Sequence, residues 1–107
     1  MNKTKVVVVY GRPGCGKTTY VQNHIGENDI AYDYDKLFAA ISFRKEHETA
    51  RDCQYQMLMD FRRTFLMNMQ RSGADTAFLI VVDPEKVKQY IPRDAEMVDV
   101  ERLNHAN

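Results

Sequence analysis

A glycine cluster followed by a lysine and a threonine is the part of this sequence best suited to chemistry. The eight residues are Gly11-Arg12-Pro13-Gly14-Cys15-Gly16-Lys17-Thr18, called here the phosphate loop. Glycine lets a backbone wrap closely around an anion, so that successive N–H groups and the start of a following helix point at phosphate oxygens. Lys17 would add a positive charge near the β- and γ-phosphates, and the Thr18 hydroxyl would contact Mg²⁺. We therefore expect a nucleoside triphosphate site, with ATP and Mg²⁺ as the ligands.

The spacing of these residues matches the P-loop pattern GxxxxGK[ST] at every fixed position. Gly14 is a further permissive position, and we expect Thr19 to support the start of the helix. The alternative is a glycine-rich turn in which Lys17 and Thr18 occur by coincidence. Phosphate binding is favoured because a strand-like run precedes the motif and a helix-like segment follows it. The motif does not select the reaction, since kinases, ATPases and GTPases share it.

Cys15 has two interpretations. It is either a small residue that the loop tolerates or a thiol activated by the amino terminus of the helix that follows. Its alkylation is expected to block nucleotide binding sterically.

Three aspartates follow segments that are expected to be strands. Asp33 and Asp35 lie at the end of an extended segment at 30–34, and Asp83 follows the apolar run at 77–82. A carboxylate beside a triphosphate can orient and deprotonate an attacking hydroxyl, or it can hold Mg²⁺. Each also has a structural alternative, because Asp35 could cap the next helix and Asp83 could form a turn with the proline after it.

The residues between these sites predict alternating strands and helices. The run of four valines at 6–9 and the run at 77–82 are typical of strands buried on both faces. We predict a helix after Gly16 that ends at a left-handed Gly26, a short helix near 37–41 and a long amphipathic helix over about 48–71. A short helix at 85–90, a last strand at 96–100 and a polar tail complete the pattern.

Helical periodicity predicts which side of the long helix is buried. The apolar residues of that face are Ala50, Cys53, Met57, Leu58, Phe61, Phe65, Leu66 and Met69. Core packing is also the best explanation for the methionines of this segment, at 57, 59, 67 and 69. Its arginines are interpreted as a solvated charged face, with acceptor-phosphate recognition as the alternative for Arg51, Arg62 and Arg63.

Strands that alternate with helices predict a three-layer α/β fold with a mostly parallel sheet of about four strands and right-handed crossovers. The 107 residues are expected to form a single nucleotide-binding domain. In such a fold the ligand site lies beyond the carboxyl ends of the strands. This is where the predicted phosphate loop and the three aspartates fall.

Composition limits the classes of function. Fifteen Lys and Arg balance fifteen Asp and Glu, so no global positive field draws the chain to nucleic acid or a membrane. No apolar run is long enough to span a bilayer, and we expect a cytoplasmic protein. The two cysteines are widely spaced and predict neither a disulfide framework nor a zinc site.

The chain resembles the polynucleotide-kinase-like branch of small P-loop kinases, which includes phage-encoded members. The resemblance rests on residues 11–20, on Asp33-Tyr34-Asp35-Lys36-Leu37 and on the apolar strand that ends in Asp83. It implies that Asp35 is the general base for an acceptor hydroxyl and that Asp33 is its neighbour or a carboxylate on the magnesium side. It also implies that Asp83 holds Mg²⁺ through water.

The sequence departs from that family in two places. Family members close an arginine-bearing lid after the fourth strand and add a fifth strand and a helix, whereas only Glu101-Arg102-Leu103-Asn104 stands there in this sequence. We therefore expect a truncated fold in which charge stabilisation by lid arginines is absent or comes from Arg102, Arg93 or another chain. The arginine that often follows the catalytic aspartate is replaced by Lys36-Leu37-Phe38.

Three functions remain open from the sequence. The first is transfer of the γ-phosphate from Mg·ATP to a hydroxyl of a nucleotide, an oligonucleotide 5′ end or a small molecule. The second is a non-catalytic accessory protein in which ATP occupancy switches contacts with a partner. The third is a slow ATPase completed by a neighbouring subunit. A second copy or a protein partner could also cover an open edge of the sheet.

Overall fold

The computed structural model describes residues 3–105, which include a four-stranded parallel sheet. Its strands are β1 (Lys5–Tyr10), β2 (Ile30–Tyr32), β3 (Thr76–Val81) and β4 (Glu96–Asp99). They are arranged in the order β2-β3-β1-β4, so that β1 and β3 are central. The predicted α/β class and the parallel sheet of about four strands are confirmed.

The strand register aligns the carboxyl ends of the sheet. Tyr10 at the end of β1 pairs with Val81 of β3 on one side and with Asp99 of β4 on the other. Tyr32 at the end of β2 pairs with Leu79, two residues before the end of β3. The segments that follow all four strands therefore begin along one edge of the sheet.

Helices cover both faces of the sheet. They are α1 (Lys17–His24), α2 (Tyr34–Ser42), α3 (Asp52–Asn68) and α4 (Val100–Asn104), with 3-10 segments at Met69–Arg71 and Pro84–Tyr90. Alternate residues of a strand point to opposite faces. Val6 and Val8 accordingly pack in a core with Leu66 of α3, whereas Val7 and Val9 pack on the other face with α1. This division gives the predicted three layers.

The end of the first helix differs from its prediction. Ile25, the residue after α1, is already extended, and Gly26 has no positive φ angle. The Gly26 N–H instead donates a hydrogen bond to Asp29 Oδ2 at 2.7 Å. A side chain three residues later thus organises the turn, and a left-handed glycine is not needed.

The long helix is shorter than predicted, and only part of its predicted apolar face is buried. It begins at Asp52, not near 48, and residues 48–51 belong to the preceding loop. Leu58, Leu66 and Met69 are buried, but three members of the predicted face are exposed: Cys53, Met57 and Phe61. Met67 is also exposed, so core packing explains only some of the methionines.

The predicted polar tail begins with a helix. α4 starts directly after β4, and the Asp99 side chain caps it by accepting a hydrogen bond from the Arg102 N–H at 3.2 Å. Val100 anchors α4 in the core that it shares with α1. Within the described residues, no helix has the length and apolar character needed to cross a membrane.

Candidate functional site

A cavity of about 830 Å³ opens at the carboxyl edge of the sheet. The phosphate loop and the start of α1 form one wall. The rest of the lining comes from the ends of β2 and β3, from the start of α2, and from α3 with the loop before it. The residues of the phosphate-loop wall are Pro13, Gly14, Gly16, Lys17, Thr18 and Thr19. The cavity also receives Asp33, Asp35 and Asp83, so all three predicted aspartates share one space with the loop.

Two glycines, Gly11 and Gly16, shape the loop for different steric reasons. A Cβ atom on Gly11 would lie 2.5 Å from Cys15 Sγ, closer than any real side chain tolerates. Gly16 has φ +101°, a left-handed conformation that disfavours other residues, and it is the N-cap of α1. No side chain caps α1, so its first-turn N–H groups remain available to an anion.

Lys17 is folded back onto the loop. Its Nζ donates to the Gly11 carbonyl at 2.7 Å and to the Arg12 carbonyl at 2.9 Å, and the residue is only 9% exposed. An ammonium has three donors. Two hold the loop and the third is left for a ligand in the cavity, where Lys17 forms part of the wall.

Thr18 and Asp33 are directly connected. The Thr18 hydroxyl donates to Asp33 Oδ2 at 2.7 Å. The other oxygen, Oδ1, accepts from the N–H groups of Asp35 at 3.0 Å and Lys36 at 3.3 Å. Asp33 is therefore the N-cap of α2, and the alternative in which Asp35 has this role is wrong.

Asp35 lies in the first turn of α2 and also lines the cavity. Its Oδ2 atom is 3.4 Å from the Nδ1 atom of His47, and His47 lies in the loop between α2 and α3. The sequence analysis did not identify His47 as a residue of the site. No local pattern reveals this proximity, because a loop of irregular backbone brings the two together.

Asp83 has the turn role that was one of its two interpretations. It is the N-cap of the 3-10 segment Pro84–Tyr90, and its Oδ1 accepts from the Glu85 N–H at 3.1 Å. It also borders the cavity, so the proposed magnesium role remains compatible with its position. Between residues 3 and 105, no three His, Cys, Asp or Glu side chains come close enough to form a metal site by themselves.

The cations near the cavity differ from those expected. Arg93 and Arg102, the predicted lid substitutes, do not line it, whereas Arg62 and Lys86 do. Arg62 is half-buried, in contrast to the solvated face that was predicted for it. The signal that could have found it is helical spacing, because Tyr55, Met59 and Arg62 follow each other at i, i+4 and i+7 along one side of α3.

Three tyrosines line the cavity: Tyr32, Tyr34 and Tyr55. The rings of Tyr34 and Tyr55 are 6.5 Å apart between centroids and tilted by 56°. Burial, with a smaller effect of Tyr55, raises the pKa of Tyr34. Tyr32 lies deeper and donates to the Leu58 carbonyl at 2.6 Å, and burial raises its pKa to about 12 although Arg62 acts in the opposite direction.

Three predicted ligand-binding residues lie outside the cavity lining: Gly11, Arg12 and Cys15. Cys15 packs against the core that contains Val21, which agrees with a tolerated small residue. Arg12 is turned away from the cavity and contacts Glu101. Gly11, the first residue of the loop, is enclosed by the side chains of Cys15 and Glu101.

Comparison with known proteins identifies a similar fold. A chain in the structure of the Pnkp1/Rnl/Hen1 RNA repair complex matches with a TM-score of 0.67 and 12% sequence identity. The match covers 91% of this chain but 32% of that one, so this chain spans about a third of its structural neighbour. No protein-family model matches the sequence, and the comparison with curated proteins found no match.

Proposed function

We propose that this protein binds Mg·ATP in the cavity and transfers the γ-phosphate to a hydroxyl group, with Asp35 as the general base. One observation carries the proposal: an uncapped helix start with Lys17 faces the same cavity as the carboxylates of Asp33 and Asp35. The first set of groups attracts a polyphosphate. The second set is what a phosphotransferase needs beside that polyphosphate.

The phosphate loop supports triphosphate binding through main-chain geometry. The N–H groups of the first turn of α1 carry the positive end of the helix dipole, and Lys17 adds a full charge from the same wall. Because the lysine is held by two loop carbonyls, its ammonium is oriented before the nucleotide arrives. Such preorganised charge stabilises charge that develops during transfer.

The oxygens at this wall fit a magnesium ion. Thr18 Oγ1 and Asp33 Oδ2 are hard oxygen donors 2.7 Å apart, and Asp83 borders the same cavity. Mg²⁺ is usually held by one or two carboxylates together with waters and substrate phosphates, which suits this small donor set. When bound, the ion would neutralise charge on the β- and γ-phosphate oxygens.

Of the two carboxylates at the start of α2, Asp35 is the better placed to act on an acceptor. Asp33 uses both oxygens in hydrogen bonds to α2 and Thr18, whereas the described contact of the Asp35 carboxylate is the one between its Oδ2 atom and His47 Nδ1 at 3.4 Å. It can therefore accept the proton of an acceptor hydroxyl as that oxygen attacks the γ-phosphorus and ADP leaves. Arg62 of α3 supplies positive charge in the cavity lining.

An RNA 5′-hydroxyl is the first acceptor to test. The structural neighbour belongs to an RNA repair complex, and three tyrosines line this cavity. Tyrosine rings stack on any nucleobase. The competing function is an ATP-dependent switch without transfer. It is favoured by the position of Arg93 and Arg102 outside the cavity, because these predicted lid substitutes then add no charge to a transferred phosphate.

The test is incubation with γ-labelled ATP and Mg²⁺, with and without an RNA oligonucleotide that has a 5′-hydroxyl. With the unmodified protein, we expect the label to appear on the RNA. Asp35→Asn should lower turnover on the order of 10² to 10⁴-fold, the loss expected when a general base is removed. The ATP affinity of that variant, measured by calorimetry, should stay within about threefold of that of the unmodified protein, because Asp35 is not proposed to contact ATP in the ground state. Lys17→Ala should lose ATP binding itself.

Asp60→Asn is the matched control, because Asp60 is an exposed aspartate of α3 outside the cavity lining. It should behave as the unmodified protein. ATP binding without transfer to RNA, nucleosides or water would favour the switch, and phosphate release alone would favour an ATPase. Equal turnover for Asp35→Asn and the unmodified protein would refute the base assignment.

A further inference from the structure

We propose that Glu101 and Asn104 of α4 are positioning residues that hold the phosphate loop from the side opposite the cavity. Glu101 Oε1 accepts from the Arg12 N–H at 2.7 Å, and its Oε2 accepts from Arg12 Nε at 2.7 Å. Asn104 Nδ2 donates to the Cys15 carbonyl at 3.0 Å. One short helix thus holds the loop backbone at two points, three residues apart.

The contacts lie behind the loop. Neither Glu101 nor Asn104 lines the cavity, and neither do their partners Arg12 and Cys15. A Cβ atom on Gly11 would lie 3.5 Å from Glu101 Cγ, so α4 packs closely on the rear of the loop. These residues therefore act on a ligand through the loop and do not touch it.

The topology explains why α4 is in this place. β4 pairs in parallel with β1, and Tyr10 at the end of β1 is opposite Asp99 at the end of β4. The loop leaves β1 and α4 leaves β4 at the same edge of the sheet, side by side. Buried Val100 and the cap from Asp99 then fix the start of α4.

Charge distinguishes positioning from direct competition with the ligand. A free carboxylate near a triphosphate would repel it, but Glu101 faces the guanidinium of Arg12. The Arg12 backbone N–H, followed by the guanidinium, lowers the pKa of Glu101, so that it remains ionised at neutral pH. The Arg12 side chain is 81% exposed, and such an ion pair contributes little alone. The main-chain contacts are the ones that matter for loop geometry.

A loop held by α4 predicts coupling in both directions. If α4 stabilises the loop conformation that binds nucleotide, bound nucleotide must stabilise the contacts of α4 by the same factor. The coupling to nucleotide rests on the function proposed above. The effect of α4 on the loop in the free protein does not depend on that function. The two can therefore be tested separately.

The first measurement is hydrogen-deuterium exchange of the free protein. Glu101→Ala loses a charge-assisted hydrogen bond to the loop and Asn104→Ala loses a neutral one. Each should accelerate exchange of the loop amides at 11, 12 and 14–16 by roughly tenfold. Glu101→Gln keeps an oxygen for the Arg12 N–H and should restore most of the protection. Glu96→Gln, a surface glutamate of β4 that pairs with Lys5, is the matched control and should leave the loop unchanged.

The second measurement is ATP affinity with Mg²⁺ by calorimetry, together with turnover at saturating ATP. Glu101→Ala should weaken affinity roughly tenfold, rescued in part by Glu101→Gln, while turnover at saturation stays within about threefold. ATP should also slow exchange across α4 in the unmodified protein. Unchanged loop exchange in both alanine variants, or tighter ATP binding by Glu101→Ala, would overturn the proposal. If the unmodified protein binds no ATP, the proposed function fails and the exchange result alone decides the positioning role.

Discussion

Asp33 and Asp35 lie two residues apart and line the same cavity, but the start of α2 gives them different roles. With Tyr34 as the first helical residue, Asp33 caps the helix and Asp35 lies within its first turn. These roles depend on the residue at which α2 begins, and helix ends are defined only to within one or two residues. The sequence therefore predicted that both aspartates lie at the edge of the sheet, but not which of them caps the helix.

Tyr32 predicts a change of stability at alkaline pH. Its pKa is about 12 in the folded protein and 10.0 without the environment of the fold. Between pH 10 and 12 the folded state retains this proton and the unfolded state releases it, so the free energy of unfolding falls as pH rises. The stabilising contribution is complete below pH 10 and is lost through this window. Urea unfolding at a series of pH values measures it.

Tyr32→Phe separates this group from the other residues that titrate in the same range. At pH 8 the variant should be about 0.5–1.5 kcal/mol less stable, because the hydrogen bond to the Leu58 carbonyl is lost. The difference should shrink above pH 10, since only the unmodified protein loses the Tyr32 contribution. A stability difference that is constant from pH 8 to pH 11.5 would contradict the raised pKa.

The helices illustrate the corresponding limit at the scale of elements. The two valine-rich and apolar runs were identifiable as central strands because residues buried on both faces leave a continuous apolar pattern. α3 was ambiguous because Met57 and Phe61 are apolar but exposed, so that hydrophobicity marked a wider face than the one that is buried. Its cavity-facing side, with Tyr55 and Arg62, is amphipathic and gave no clear apolar signal.

Two substitutions in α3 test which side of the helix is the core. Leu58 is fully buried, and Leu58→Ala should lower the free energy of unfolding by about 2–5 kcal/mol through lost contacts and a cavity. Phe61 is 37% exposed, and Phe61→Ala should change it by about 1 kcal/mol or less, since alanine also favours the helix. Urea denaturation of both variants makes the comparison. Equal decreases in the free energy of unfolding would indicate that the buried face of α3 includes Phe61, as the sequence predicted.

At the scale of the whole molecule, the strand order is what assembles the site. Helical and strand patterns predicted the layers, but local sequence does not specify that β3 lies between β1 and β2, or that β4 places α4 behind the phosphate loop. Those neighbours result from long-range pairing. The order leaves β2 and β4 at the edges of the sheet among the described residues, and a partner or second copy on such an edge stays a prediction.

Mg·ATP should stabilise the entire fold, because the proposed site is built from segments that are far apart in the chain. The loop, Asp33, α3 and Asp83 all line one cavity, and unfolding would separate them. A ligand present at 100 times its dissociation constant adds about 2.7 kcal/mol to the free energy of unfolding if it binds only the folded state. Thermal unfolding with and without Mg·ATP measures the gain as an increase in melting temperature.

Removal of the metal ion tests whether Mg²⁺ contributes to the increase in melting temperature that ATP produces. With EDTA in place of Mg²⁺, the increase produced by ATP should shrink, because phosphate charge is then balanced by Lys17 and the helix start alone. Asp33→Asn should reduce the dependence on Mg²⁺, since it removes the charge beside the Thr18 hydroxyl. The variant's own baseline must be subtracted, because Asp33 also caps α2. An equal gain with ATP in Mg²⁺ and in EDTA would exclude a metal ion from the site while leaving phosphate binding in place, whereas no gain in either condition would contradict the nucleotide site itself.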